Sequence, residues 1–183
     1  MAKVRQNIVV QGLSGSLGDQ LVIKQDKAGR TIVSIKAAYS PNREFSDLQK
    51  SHQDSFREAA AYGQSAQGNP VYAQKAEGTP MSAYNVAMAD WFHAPEILDV
   101  DLSAWSGGAG QAIRVKAMDD VQVKQVTVVI TDEKDAVLEQ GAATQADNLW
   151  WQYTTTAAAG GSPKVLVSAQ DLPGHIAEMT KVK

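Results

Sequence analysis

Three histidines, twenty carboxylates and no cysteine are the raw material for chemistry in this 183-residue chain. His52, His93 and His175 lie far apart, whereas a metal-binding pair is usually set at helical or strand spacing. His93 has a carboxylate nearby in Trp91-Phe-His-Ala-Pro-Glu96, so a His93–Glu96 fragment is conceivable. The same stretch also reads as a helix C-terminus, where a partly charged imidazole suits the helix dipole. Without cysteine there are no disulfides, no thiolate chemistry and no thiolate-bound zinc or iron–sulfur cluster. Gly12-Leu-Ser14-Gly-Ser-Leu-Gly18 superficially resembles a phosphate loop. A Walker loop, however, needs Lys after its last glycine and a helix to follow, and the next segment here reads as a strand. No Gly-x-Ser-x-Gly elbow occurs for a nucleophilic serine. No catalytic residue, cofactor or metal is expected, and the chain reads as a non-enzymatic protein.

Two other groups of residues could bind something. Asp119, Asp120, Asp132, Asp135 and Asp171 fall in expected turns, where hard oxygen ligands could hold Ca²⁺. Asp is equally a good turn residue, and no EF-hand spacing is present. Trp150, Trp151 and Tyr153 share one expected strand. Alternation puts Trp151 and Tyr153 on one face and Trp150 on the other, so one Trp fills a core. The rest either pack within the chain or form a subunit interface, for which Trp and Tyr are favoured anchors.

Composition narrows the partners. Hydrophobic residues are 44%, charged residues 20% and the net charge is -3, with both signs interspersed. A sizeable core is possible and wholesale disorder is not expected. A nucleic-acid binder would show a basic patch, and none is visible. The apolar run near the start is only Ile8, Val9 and Val10, far short of the ~7–15 residues of a signal peptide or the ~18 of a membrane span. The expectation is a soluble protein without membrane insertion, cytoplasmic or virion-associated in preference to classically secreted.

The elements that must position these residues change character along the chain. Residues 7–10 read as a short strand, followed by glycine turns at Gly12, Gly15 and Gly18. Residues 20–25 and 30–36 flank Asp26-Lys-Ala-Gly29 and make a hairpin. Ser46-Asp-Leu-Gln49 is a capping box opening a helix to about Ala66, with Leu48, Phe56, Ala59, Ala60 and Tyr62 as its apolar stripe. Asn69-Pro70 starts a short helix stopped by Gly78. Thr79-Pro80 starts another, to about Phe92, with Tyr84, Ala87, Met88 and Trp91 inward. Pro95 closes the helical region, giving expected domains 1–95 and 96–183.

After Pro95 the period becomes two. Leu98, Val100 and Leu102, then Ile113, Val115 and Ala117, then Val126, Val128 and Ile130 alternate with polar or smaller residues. Further strands are expected at 136–140, 149–155, 164–169 and 175–182. Seven short strands separated by turn residues are the mark of an immunoglobulin-type sandwich. The fold class is therefore α+β: an N-terminal β-hairpin and helical region, then a seven-stranded immunoglobulin-like β-sandwich.

Ile113-Arg-Val-Lys-Ala117 leading to Val126-Thr-Val-Val-Ile130, and Val165-Leu-Val-Ser-Ala169-Gln-Asp171-Leu-Pro-Gly174-His, carry a resemblance to the bacterial immunoglobulin-like repeats of surface adhesins. In that family the penultimate strand ends in an Ala-x-Asp-x-x-Gly turn; His175 stands where it usually has Asn. Gly12-Leu-Ser-Gly15-Ser-Leu-Gly18-Asp, Gly29-Arg-Thr-Ile-Val33 and the helix ending in Phe56-Arg-Glu-Ala resemble uncharacterised bacterial and phage-associated proteins of structural type. The leading expectation is a subunit that assembles with copies of itself in a filament, virion or similar particle. The strand holding Ile8, Val9 and Val10 is then a candidate for donation to a neighbour. The alternative is a monomeric module recognising a protein or glycan, with Asp147-Asn148-Leu-Trp150 as its one glycan candidate.

Overall fold

The computed structural model describes residues 2–4, 12–26, 28–40 and 43–183. The expected strand over 7–10, with Ile8, Val9 and Val10, lies outside them. The chain is α+β and divides into two compact units, Met1–Val86 and Ala87–Lys183. That division falls before the boundary expected at Pro95.

In the first unit, β1 (Ala2–Val4), β2 (Gly15–Leu17), β3 (Leu21–Gln25) and β4 (Thr31–Ile35) form one antiparallel sheet in the order β1-β4-β3-β2. The expected hairpin is β3–β4, in register from Leu21↔Ile35 to Gln25↔Thr31. Its turn is closed by Asp26, whose carboxylate accepts the N–H of Ala28 at 3.0 Å and of Arg30 at 2.8 Å. The short strand β2 occupies the glycine-rich segment that resembled a phosphate loop.

Helix α1 (Asp47–Ala66) starts at the capping box, with Ser46 Oγ accepting from Gln49 N–H and Gln49 Oε1 accepting from Ser46 N–H. Its expected apolar stripe is covered only toward its C-terminal end, where Ala60 and Tyr62 are half-buried. Ala59 and Gly63 are its buried residues, Phe56 is exposed and Leu48 is 84% exposed. The reason is local: the covered turn is the one where Gly63 lets Tyr84 approach, a Cβ there meeting Tyr84 O at 3.1 Å. Helix α2 (Pro70–Ala76) is capped by Asn69 Oδ1 on Val71 N–H and buries Tyr72, whose hydroxyl lies 2.6 Å from that of Tyr62.

Helix α3 (Ala83–Asp90) begins later and ends earlier than Thr79-Pro80 and Phe92 imply. Thr79 Oγ1 instead donates to Ala76 O, closing the turn after α2, and accepts from Met81 N–H. Ser82 supplies the cap, accepting from Asn85 N–H at 3.2 Å.

The second unit is a β-sandwich of two four-stranded antiparallel sheets. One sheet holds β5 (Glu96–Asp101), β6 (Ala112–Met118), β10 (Trp150–Thr154) and β9 (Thr144–Gln145), in that spatial order. The other holds β12 (Ile176–Val182), β11 (Lys164–Asp171), β7 (Val123–Thr131) and β8 (Val137–Ala142). Eight strands stand where seven were read. The additional one is the two-residue β9, which forms where the chain changes sheets: Ala143 is buried and donates to Val126 O at 2.8 Å.

The core between the sheets is one cluster, including Val100, Trp105, Ile113, Val115, Val126, Val128, Ile130, Val165 and Val167. These are alternate strand residues, which the pleat sends to one face. Trp105 comes from the loop after β5 and is fully buried. Gly141 is required in β8 because a Cβ there would meet the Tyr153 ring at 2.7 Å. Gly107, at φ 93°, is likewise pressed against Ala159 O, which a Cβ would meet at 2.5 Å.

Candidate functional site

The aromatic trio is resolved by the β6–β10 register. Trp151 pairs with Val115 and Tyr153 with Ile113, both core residues, so Trp151 and Tyr153 face inward and are buried. This corrects their assignment to an interface, because their rings are used up in the sandwich. Trp150 pairs with Lys116 and faces out, half-buried. The Arg114 guanidinium lies 4.6 Å from its ring centroid and Lys116 Nζ 5.9 Å, both within cation–π range. Across β6, Asp101 pairs with Arg114 and Asp99 with Lys116. Ser103's hydroxyl and N–H, followed by the charges of Arg114 and Lys181, hold the Asp101 carboxyl below its usual range. The outer face of this sheet is thus a charge ladder around one indole.

The calcium candidates are engaged in holding turns. Asp119 Oδ2 accepts from Val121 N–H at 3.0 Å and Gln122 N–H at 2.8 Å. Asp132 Oδ1 accepts from Lys134 and Ala136 N–H, and Asp135 pairs with Lys164 Nζ at 2.7 Å. Asp120 Oδ2 lies 2.8 Å from His93 Nδ1, so His93 pairs there and not with Glu96. Asp171 is fully buried; Oδ1 accepts from Gly174 and His175 N–H, each at 2.6 Å, and Oδ2 lies 3.0 Å from His175 Nδ1. The Ala-x-Asp-x-x-Gly motif is therefore a carboxylate-closed turn between β11 and β12. Among the described residues no group of three or more His, Cys, Asp or Glu side chains could hold a metal ion.

Some organising contacts were invisible in the sequence. Trp91 packs edge-on to Phe92 at 5.3 Å and to His175 at 5.5 Å, making an aromatic cap at the Asp171 end of the sandwich. Glu139 Oε2 in β8 accepts from Thr156 N–H and Oγ1, both at 2.8 Å, and from Ala157 N–H at 2.6 Å. Burial first, then the charge of Glu139, raises the Tyr153 phenol above its ordinary value. Thr155, buried, donates to Gly108 O at 2.8 Å and accepts from Gln111 N–H at 3.1 Å. The isolated Trp105 within a Ser/Gly-rich loop was the one available sign of such a tertiary anchor.

Among the described residues each unit has eight exposed large apolar side chains, and the four most exposed, Ile35, Leu48, Tyr39 and Leu17, lie in the first. Ile35 and Leu48 are each 84% exposed, and Leu13, Leu17, Tyr39, Phe45 and Phe56 are exposed as well. Arg43 stacks over the Tyr39 and Phe45 rings at 5.7 and 4.8 Å. With Phe45, Leu48, Gln49, His52 and Gln53 it lines a shallow, mainly apolar groove along the start of α1.

No family model matches this chain, and no curated protein does. Solved structures do. CopC from Methylosinus trichosporium OB3b is similar at 21% identity and TM-score 0.39, over 48% of this chain and 89% of that one. An engineered protein is similar at 16% identity and TM-score 0.37, over 55% of this chain and 26% of that one. A conjugative transposon lipoprotein from Bacteroides eggerthii is similar at 14% identity and TM-score 0.28, over 48% of this chain and 92% of that one. Among the described residues no helix is long and apolar enough to cross a membrane.

Proposed function

We propose that this chain is a non-enzymatic structural subunit that assembles with copies of itself, using an immunoglobulin-like sandwich as its rigid part. The strand orders β5-β6-β10-β9 and β12-β11-β7-β8 support the immunoglobulin-like reading. Taken in chain order they correspond to strands A, B, E, D of one sheet and G, F, C with an added edge strand in the other.

The observation that carries the assembly reading is the apolar groove at the start of α1, lined by Arg43, Phe45 and Leu48. Isolated exposed apolar residues are ordinary, but grouped ones mark surfaces that meet another protein. Leu48, Phe45 and the Arg43-stacked groove lie together on one helix start. A neighbouring copy supplies the missing cover in the same way a domain core would.

Light scattering of the purified chain over a wide concentration range tests this. Mass is expected to rise with concentration, and Leu48→Ser combined with Phe45→Ser to return it to monomer. Both positions are exposed, so folding stability should change by only about 0.5 kcal/mol. A wild-type chain that stays monomeric throughout discards the assembly reading. The second reading, a module binding a protein or glycan, is favoured by Trp150, an outward indole flanked by Arg114 and Lys116.

A further inference from the structure

We infer that two copies of this chain pair through the open edge of β12, antiparallel and centred on Met179. This rests on the self-assembly reading and names an interface for it.

Among the described residues the sandwich has four strand edges, on β5, β9, β12 and β8. Natural sheets blunt exposed edges with bulges, short strands or charge. β9 is two residues long. β8 and β5 each carry a register shift, at Ile130/Thr131 and Ile97/Asp99. β5 also bears Glu96, Asp99 and Asp101, like charges that oppose pairing with its own copy. β12 is neither short nor bulged: its seven residues run in unbroken register with β11, from Lys164↔Val182 to Gln170↔Ile176, and its charges are Glu178 and Lys181. Its lysine is an inward-pointing charge, which in some sheets opposes edge pairing, but here it is already bound within its own chain. Lys181 Nζ turns inward onto Val100 O and lies 3.5 Å from Asp99, and Lys183 Nζ reaches Leu102 O at 3.3 Å.

The backbone then limits how a second β12 can align. His175 O accepts from Asp171 N–H at 3.2 Å, and Lys183 N–H donates to Pro163 O at 3.1 Å. Along an antiparallel ladder, successive residues point their N–H and C=O groups to opposite sides. Odd-numbered residues of β12 thus bond β11, while Ile176, Glu178, Thr180 and Val182 present theirs to the open edge. A symmetric pair must set these four against one another.

Centring on Glu178 puts that carboxylate opposite its own copy. Centring on Thr180 leaves Ile176 unpaired and sets Glu178 against Val182. Centring on Met179 pairs all four: Ile176 with Val182 and Glu178 with Thr180, each twice. Ile176 and Val182 are 57% and 59% exposed in the single chain, so this register covers the apolar pair and opposes no like charges. The edge is complementary to itself.

Because the chain has no cysteine, single substitutions read the register directly. In an antiparallel pair, residues opposite one another without exchanged hydrogen bonds have Cα atoms about 4.5 Å apart, within the ~4.4–6.8 Å a disulfide spans. Met179→Cys should therefore crosslink into a covalent dimer under mild oxidation, ahead of Glu178→Cys and Thr180→Cys. If either of those leads, or none crosslinks while the chain associates, the inference is overturned. Thr180→Pro removes an N–H that takes no part in the ladder with β11, so the melting temperature should hold while association through this edge is lost. Ile176→Lys, at an exposed position, repeats the test should proline disturb the strand. Association unchanged in both variants overturns the β12 interface and leaves the self-assembly reading standing; a strictly monomeric wild-type chain removes both.

Discussion

Ala87–Lys183 and Met1–Val86 solve the problem of apolar surface in opposite ways. In the second unit, two sheets close on a single core in which Trp105, Ile113, Val126, Val128 and Val167 are fully buried. In the first, the buried apolar residues among those described are Ile23, Ala59, Tyr72 and Val86, while Leu48 and Ile35 stand in the open. Both have well-formed local structure: the capping box of α1 is as complete as any turn in the sandwich. The difference teaches that good local signals make an element but do not supply its cover. Hydrophobic burial is the dominant favourable term in folding, so the second unit has a core of its own to rest on. Each unit still keeps apolar residues that a neighbour can cover, Leu48 and Ile35 in the first and Ile176 and Val182 in the second.

The contrast can be broken most sharply at Trp105. Replacing it with Ala removes the largest fully buried side chain of the second unit, and denaturant unfolding should show a loss of about 3–5 kcal/mol. All four tryptophans, Trp91, Trp105, Trp150 and Trp151, lie in that unit, so the fluorescence of the remaining three reports it selectively. A loss below about 1 kcal/mol would mean the sandwich core is looser than its packing implies.

A smaller effect is expected at the start of α1. Ser46→Ala removes the side-chain cap on Gln49 N–H and should cost the helix about 1 kcal/mol. The loss should appear as reduced helical circular dichroism, with tryptophan fluorescence unmoved. If fluorescence changes equally, the two units unfold as one and the comparison fails.

The smallest effect belongs to Tyr153. Its phenol is raised above the ordinary value by burial and by Glu139. Below about pH 10 the phenol is neutral in both folded and unfolded chains and stability does not depend on it. Above that, the unfolded phenol loses its proton first, so stability falls as pH rises toward the folded value. Tyr153→Phe should flatten this alkaline slope by up to about one proton per chain. An unchanged slope in thermal melts between neutral pH and pH 11 would place the alkaline loss elsewhere.

Much of the second unit was legible because a strand writes its facing into the sequence. Alternation at Ile113, Val115 and Ala117, or Val126, Val128 and Ile130, names inward residues without any knowledge of partners. It also separated Trp150 from Trp151 and Tyr153, but not which side was the interior; the pairing Trp151↔Val115 decided that. In α1 the helical stripe was looser, and there the inference to burial failed at Leu48 and Phe56. A stripe states which residues seek cover, not whether the chain provides it.

The sequence by itself determined the elements, their caps and turns and their apolar sides, since these depend on residues a few positions apart. Tertiary structure alone decided the strand order, the crossing at Ala143, the clamp of Glu139 on Thr156 and Ala157, and the link of Thr155 to Gly108 and Gln111. It also decided which edges stayed open. These join residues distant in the chain, and their partners are chosen by three-dimensional packing, which has no period for a sequence to display.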